Sequence, residues 1–213
     1  MHFLYKMNKL LFIKYLFLFF ILFPFISFAA NDSAKIENRA IDHVSSMMIE
    51  VHRLLEVGKN NPEEGRLLLK NLLNSYFDPI IIAKYSSMPA WRKASQKERE
   101  EFTDLFKEYL IDLASRRFHE FDSVKYHILI SEKRGKKMVL VDGVIQAPGN
   151  KRDNTPVAWR LSINKDGELK IIDLEIAKIS MVIAQNEEFT SIIRQNKGRF
   201  SSLIDVLKKE LNR

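Results

Sequence analysis

Residues 157–176, VAWRLSINKDGELKIIDLEI, decide the fold class of this chain. Apolar and polar side chains alternate over 157–163, which predicts a β-strand with one apolar face. Asp166-Gly167 is typical of a two-residue hairpin turn. The apolar face continues after the turn at Ile172, Leu174 and Ile176. The stretch therefore predicts two antiparallel strands whose apolar face must be covered by other parts of the chain.

Two further strands precede this hairpin. Alternation over 124–131, with Ile128 and Ile130 on the apolar side, predicts one strand, and the run 138–146 predicts the next, after a turn at Arg134-Gly135. Apolar residues recur at helical spacing before and after the four strands. We therefore predict an α+β domain in which helices pack around a twisted four-stranded antiparallel sheet.

Capping signals predict where several helices begin and end. Asp78-Pro79 is typical of a helix cap followed by proline at the first helical position, and Ser95 with Glu98 forms a capping box. The predicted helices are 33–57 (ended by Gly58), one from Pro62 towards Phe77, a short one after Asp78, a long one from Ser95 to near Arg116, 183–196 and 199–211.

The first 29 residues form a predicted secretory signal peptide. Lys6, Lys9 and Lys14 give a basic start, an apolar stretch follows, and 27–29 supplies the small residues that signal peptidase reads. The alternative is an uncleaved membrane anchor, but the apolar stretch is shorter than the ~20 residues of a spanning helix and Pro24 interrupts it. We expect cleavage after Ala29 and a mature domain of residues 30–213 in the periplasm.

Composition narrows the function classes. The chain has 213 residues, a net charge of +7 and no Cys. Removing the three lysines of the signal peptide leaves +4, with basic and acidic residues interspersed, which does not favour a nucleic-acid-binding protein. Without Cys the exported domain is held by packing alone, which fits a bacterial periplasm.

The sequence carries no motif for catalysis, a metal site or a phosphate loop. The histidines have no metal-ligand spacing, and Ser180 lacks a G-x-S-x-G setting. Asp142, Asp173 and Glu175 are acid–base candidates if they point into a hollow. The favoured interpretation is that they alternate outward to water, so no catalytic residue and no cofactor is predicted.

Two groups of motifs resemble the MlaC family, whose members include the toluene-tolerance auxiliary proteins. The motifs, in chain order, are Phe77-Asp78-Pro79, Ala83-Lys84-Tyr85, Trp91-Arg92, Ser95, Glu98 to Phe102, Phe106, Tyr109-Leu110, then Ile172-Asp173-Leu174, Ile179-Ser180-Met181, Asn186 to Phe189, Ile192-Ile193, Gly198 and Leu203-Ile204. Two positions depart from the family pattern. This chain has Ser87-Met88 where the family usually has Leu-Gly, and Ala177-Lys178 where it usually has Glu-Gly.

The resemblance implies a monomeric periplasmic phospholipid carrier with an NTF2-like cone and a lipid cavity. Such a carrier is the auxiliary component of an ABC transport system in Gram-negative bacteria. It exchanges lipid with an inner-membrane Mla ABC transporter complex and an outer-membrane Mla lipoprotein complex, and so maintains outer-membrane lipid asymmetry. It holds the acyl tails in an apolar cavity and leaves the head group outside.

The inward apolar faces supply the predicted lipid-binding residues. They are Ile81, Tyr85, Phe102, Phe106, Tyr109, Leu113, Val141, Val157, Trp159, Leu161, Ile172, Leu174, Ile176 and Met181. The predicted contacts for the head group or a partner protein are Lys84, Arg92, Arg152 and Lys178.

Two alternatives remain open at the level of the sequence. An exported small hydrolase or isomerase could use the same cone-shaped fold, because fold alone does not determine function. An adaptor protein with a filled core would need no ligand. The enzyme predicts a carboxylate or histidine inside the hollow, whereas the carrier predicts lipid that co-purifies with the protein.

Overall fold

A computed structural model describes residues 27–116, 125–146 and 154–212. The predicted signal peptide lies outside the described residues, apart from its last three positions. Residues 1–36 and 37–213 are two separate compact units. The described part of the first unit is the beginning of one helix, and the second unit holds all the other elements.

Within the described residues, three helices precede the 3₁₀ turn Ala90–Arg92: α1 Ser27–Asn60, α2 Pro62–Tyr76 and α3 Pro79–Ser86. The prediction that Gly58 ends the first helix is wrong, because α1 continues to Asn60. The capping predictions are confirmed at α3, where the Asp78 carboxylate accepts a hydrogen bond from the Ile81 N–H at 2.9 Å and Pro79 occupies the first turn.

The long helix α4 spans Gln96–Arg116 and begins at the predicted capping box. The Glu98 N–H donates to the Ser95 hydroxyl at 3.2 Å, and the Ser95 N–H donates to the Glu98 carboxylate at 2.8 Å. These hydrogen bonds stabilise the ionised carboxylate and lower the pKa of Glu98. The chain ends with α5 Met181–Gln195 and α6 Ser201–Leu211.

The sheet is antiparallel throughout, with strands in the order β1-β2-β3-β4-β5. The strands are β1 Lys125–Arg134, β2 Met138–Gln146, β3 Asn154–Ile163, β4 Leu169–Ile176 and β5 Ile179–Ser180. The predicted α+β architecture is confirmed, with one strand more than expected. The fifth strand has only two residues, too few to produce an alternating pattern.

A β-bulge interrupts the predicted alternation of β1. Ile128 pairs with Gly143 and Ile130 with Asp142, so the extra residue Leu129 shifts the facing of all later residues. Leu129 and Ile130 are both exposed. The prediction that Ile130 shares the apolar face of Ile128 is therefore wrong.

The β3–β4 hairpin has a three-residue loop, not the predicted two-residue turn. The Asn164 N–H donates to the Glu168 carbonyl at 3.0 Å, which leaves three residues between them. Gly167 adopts a φ of +77°, the left-handed conformation that such loops need. A second bulge follows, because Arg160 pairs with Asp173 but Leu161 pairs with Ile171. Ile171 is buried in place of the predicted Ile172.

The helices of the second unit have a core of their own, which we call the helical core. It is made entirely of residues from α3 to α6 and the loops between them: Ala83, Trp91, Ala94, Phe102, Phe106, Phe189, Ile193, Phe200, Leu203, Ile204 and Leu207. Phe102 lies at its centre, with ring centroids 5.2 Å from Phe200 and 5.5 Å from Phe189. Edge-to-face contacts of this kind add to the apolar burial.

Candidate functional site

A cleft of about 320 Å³ opens between α3, the first turns of α5 and strands β2 to β4. We call it the front cleft. Its lining residues are Tyr85, Met138, Arg160, Ile172, Asp173, Ser180, Val182, Ile183 and Asn186. Apolar side chains form most of the wall, and a few polar groups converge at its floor. This is the usual composition of a small-molecule site.

Asp173 organises the floor of the front cleft. It is only 6% exposed. Its carboxylate accepts hydrogen bonds from the Arg160 guanidinium at 2.7 Å, the Ser180 hydroxyl at 2.6 Å and the Val182 N–H at 3.1 Å. The interpretation that Asp173 points outward to water is therefore wrong. Three donors hold the carboxylate in place, so it orients Arg160 towards the cleft.

Ser180 links this floor to α5. Its hydroxyl oxygen accepts the Ile183 N–H at 3.1 Å and caps the helix, while its proton is donated to Asp173. A nucleophilic serine needs an adjacent base, usually a histidine. The residues that line the cleft include no histidine. The hydrogen bonds of Ser180 to Asp173 and Ile183 hold the first turn of α5 in place, which explains why α5 begins two residues before the predicted start.

Exposed apolar side chains surround the mouth of the front cleft, and we call them the apolar rim. Tyr85 and Ile183 line the opening itself, and Ile179 and Met181 lie on either side of Ser180. Ile183 is 59% exposed. Isolated exposed apolar residues are common, but a group around one opening is typical of a contact site.

Asn186 joins α5 to α3 beside the cleft. Its side-chain amide donates to the Tyr85 carbonyl at 3.2 Å and to the Met88 carbonyl at 2.6 Å. These carbonyls lie at the end of α3 and just after it. One side chain therefore fixes the separation of the two helices that carry the apolar rim.

A second, more open depression of about 520 Å³ lies near the end of α2. Its polar residues contact the free carbonyl groups at the C-terminal end of α2. Lys170 donates to the carbonyls of Asn74 and Ser75, and His43 Nε2 lies 3.2 Å from the Tyr76 carbonyl. Burial lowers the pKa of His43, and the positive charge of Lys170 adds to this effect. The polar side chains of this depression cap the end of α2, so we assign no ligand to it.

The structure distributes the predicted lipid-binding residues over four places. Tyr85 and Ile172 line the front cleft and Met181 lies on the apolar rim, whereas Phe102, Phe106 and Tyr109 belong to or pack against the helical core. Half-buried positions on α3 and α4 hold Ile81 and Leu113. On the sheet face opposite Arg160 lie Val141, Val157, Trp159, Leu161, Leu174 and Ile176.

The predicted head-group or partner contacts are also separated. Lys84 lies near the apolar rim, with its Nζ 5.9 Å from the centre of the Tyr85 ring. Lys178 is exposed in the turn before β5, and Arg92 is exposed in the 3₁₀ turn. Arg152 lies outside the described residues.

Arg160 and Asn186 contribute to the cleft but were not among the predicted contacts. A sequence signal for Arg160 exists. Counting outward from a two-residue turn at Asp166-Gly167 places Arg160 opposite Asp173, and the bulge in β4 restores this register although the loop is one residue longer. Asn186 has no comparable signal, because its partners are carbonyl groups about a hundred residues away.

The described residues contain no group of three or more side chains placed to hold a metal ion. Within the same ranges, no helix has both the length and the apolar character needed to span a membrane.

Comparison with known proteins gives matches of two kinds. A family model described as MlaC protein matches residues 43–209. A solved structure, the phospholipid-binding protein from Ralstonia solanacearum in complex with a phospholipid, is similar with a TM-score of 0.63 and 16% sequence identity, over 79% of this chain and 94% of that chain. At that identity the likeness shows the fold. A search among curated proteins found no match.

Proposed function

The chain belongs to the MlaC family, and from that membership we propose that it is a periplasmic phospholipid carrier. It binds the acyl tails of a phospholipid and carries the lipid between outer-membrane and inner-membrane complexes. Outer-membrane lipid asymmetry is maintained in this way. The match over residues 43–209 is the observation that carries the proposal, and the phospholipid held by the structural neighbour is consistent with it.

The physical need for a carrier follows from the hydrophobic effect. Each methylene transferred from water to an apolar site is worth about 0.8 kcal/mol, so a two-tailed lipid with about thirty methylenes costs on the order of 20 kcal/mol to leave in water. Free diffusion across an aqueous space is therefore very slow. A carrier needs apolar contact rather than catalytic groups, which agrees with the composition of the front cleft.

The front cleft is the proposed entrance for lipid. Its volume of about 320 Å³ lies at the lower end of the ~300–1,000 Å³ typical of small-molecule sites. A whole phospholipid needs more room, so the helices and the sheet must separate as the tails enter. Tyr85, Ile172 and Met181 are the predicted lipid contacts at this entrance, whereas the predicted residues on the opposite sheet face and in the helical core do not line it.

The apolar rim is the proposed contact surface for the membrane complexes. It surrounds the entrance, so a partner that covers it also controls access of lipid to the cleft. Lys84 and Lys178 lie beside it and add positive charge, which favours anionic partners or lipid head groups. The same surface would serve the inner-membrane transporter complex and the outer-membrane lipoprotein complex in turn.

A pair of matched variants tests the proposal. Ile183 on the apolar rim and Leu67 on α2 are 59% and 58% exposed, so an aspartate at either position stays largely in contact with solvent. Ile183→Asp should reduce phospholipid uptake from vesicles at least several-fold because it places a charge at the entrance. Leu67→Asp should leave the uptake unchanged.

Lipid analysis of the exported wild-type chain provides the decisive measurement. Native mass spectrometry should detect intact bound phospholipid. A protein that purifies empty and takes up no lipid from vesicles containing phosphatidylethanolamine and phosphatidylglycerol would rule out the carrier. Release of free fatty acid from those vesicles would favour the alternative of an exported hydrolase.

A further inference from the structure

Hydrogen bonds join strand β4 to the two helices that enclose the front cleft. The Asp78 N–H at the start of α3 donates to the Ile171 carbonyl of β4 at 2.9 Å. The buried Asp173 carboxylate of β4 accepts the Ser180 hydroxyl and the Val182 N–H, at 2.6 and 3.1 Å, where α5 begins. The strand is therefore tied to the beginning of each helix.

Asn186 closes the remaining side of the cleft, between α5 and the end of α3. Its amide donates to the Tyr85 carbonyl at 3.2 Å and to the Met88 carbonyl at 2.6 Å. These are neutral hydrogen bonds of a partly exposed side chain, whereas those to the Asp173 carboxylate are charge-assisted and about twice as strong. The bonds of Asn186 must break when α3 and α5 move apart.

The closed cleft has room for one acyl chain. An apolar cavity of ~150 Å³ binds benzene with its six carbon atoms, so the front cleft with about 320 Å³ holds about twelve. Its apolar lining residues Met138, Ile172, Val182 and Ile183 suit a hydrocarbon chain. A two-tailed lipid with about thirty methylenes needs more than twice this volume.

The charged groups of the lining favour a head group that stays outside. Among the described residues of the lining, Arg160 and Asp173 are the only charged ones, and they form an ion pair at 2.7 Å. Glu175 lies 3.7 Å from the other guanidinium nitrogen, so Arg160 already faces two carboxylates. A phosphate inside the cleft would lose its hydration without an unpaired cation. It therefore stays at the mouth, where Lys84 lies beside Tyr85.

We propose that the closed front cleft binds single-chain lipids, namely lysophospholipids, and that Asn186 restricts the entry of a second chain. A lysophospholipid places its one chain in the cleft and its head group at the mouth, with all the hydrogen bonds between α3, β4 and α5 intact. A diacyl phospholipid enters only after the Asn186 bonds break. This inference rests on the proposed carrier function and adds one class of lipid to its ligands.

Lysophosphatidylethanolamines of increasing chain length test the size of the site, each measured below the concentration at which it forms micelles. The affinity of the wild type should rise about four-fold per methylene and level off at about twelve carbon atoms. Ile172→Ala should move this plateau to chains longer by about three carbon atoms, the number that it removes from the wall. An affinity that rises without a plateau would overturn the inference.

Asn186→Ala tests the restriction on the second chain. The variant should take up diacyl phosphatidylethanolamine from vesicles about three- to ten-fold faster than the wild type, the usual effect of losing one or two neutral hydrogen bonds. Its affinity for the single-chain lipid should not change. Asn196→Ala is the matched control, because the Asn196 amide also donates to a helix carbonyl, that of Ile192 at 2.8 Å, but does not line the cleft. It should leave both quantities unchanged.

The remaining outcomes separate this inference from the carrier function. Unchanged diacyl uptake by Asn186→Ala would overturn the role of Asn186, and the chain-length series on the wild type tests the site even if that variant does not fold. Diacyl uptake without single-chain binding would overturn the inference and leave the carrier intact. Single-chain binding without diacyl uptake would overturn the carrier and leave the single-chain site. If the wild type binds neither lipid, both fail.

Discussion

At the scale of single residues, Lys178 stands out for its backbone. It adopts a φ of +68°, and its neighbour Ala177 a φ of +50°, in the turn between β4 and β5. Two consecutive positive φ values match a type I′ hairpin turn, in which Asn or Gly is the usual residue. Members of the MlaC family usually have Glu-Gly at these two positions. The lysine therefore occupies a conformation that a glycine adopts without strain.

Lys178→Gly should stabilise the protein by about 1 kcal/mol, because the left-handed conformation is unfavourable for a residue with a Cβ atom. Lys178→Ala is the control, since alanine keeps the Cβ and should give no gain. Urea unfolding at constant m-value measures both changes. A glycine variant that is less stable than the alanine variant would contradict the assignment of the turn.

At the same scale, His43 should make stability depend on pH. Its pKa is lowered in the folded state, so the unfolded chain binds a proton first as the pH falls. The free energy of unfolding should therefore be constant above the unfolded pKa of about 6.5 and decrease below it. Burial and the charge of Lys170 oppose protonation of the ring, whereas the contact with the Tyr76 carbonyl favours it.

Unfolding experiments between pH 8 and pH 5 measure this dependence. His43→Gln should flatten the curve in that range because it removes the titrating group. His52→Gln, at an exposed position of the same helix, should retain the wild-type curve. A His43→Gln variant with an unchanged slope would show that other groups cause the pH dependence.

At the scale of elements, the sequence predicts helices and their caps better than it predicts the details of the sheet. Asp78-Pro79 and the Ser95–Glu98 capping box are correct because a cap depends on residues three positions apart. Leu129 in β1 and the turn at Ala177-Lys178 were missed. A bulge adds one residue without changing composition, and a two-residue strand is shorter than the period that would reveal it.

In the candidate site, too, some residues could be predicted from the sequence and others could not. Tyr85 and Ile172 could be predicted because they lie on apolar faces of recognisable elements. The contact of Asn186 with the carbonyls of Tyr85 and Met88 could not, because it depends on how two distant helices approach each other. Periodicity also predicts that a sheet face is apolar without determining which layer covers it.

At the scale of the whole molecule, the helical core distinguishes residues that fill space from residues that meet a ligand. Phe102 is fully buried among other aromatic rings of that core. Phe102→Ala should lower the free energy of unfolding by about 3–5 kcal/mol, the usual effect of removing a large aromatic side chain from a core. At a temperature where the variant remains folded, its lipid uptake per molecule should be close to that of the wild type.

Ile172→Ala is the comparison for this prediction, because Ile172 lines the front cleft and is only partly buried. It should have the smaller effect on stability and the larger effect on lipid uptake. Thermal unfolding and vesicle transfer measure the two quantities separately. If Phe102→Ala lost lipid in a folded state, the sequence-based assignment of Phe102 to the cavity wall would be correct and the tails would reach the helical core.

The composition of the helical core has a consequence for how such chains diverge. Its buried residues all come from helices and their connecting loops, so a change of volume at one ring can be offset by another helix residue without altering the strands. The helical core and the sheet can then accumulate substitutions at different rates. Distant homologues are therefore expected to conserve Asn186, Arg160 and Asp173, which all line the front cleft, more strictly than the residues of the helical core.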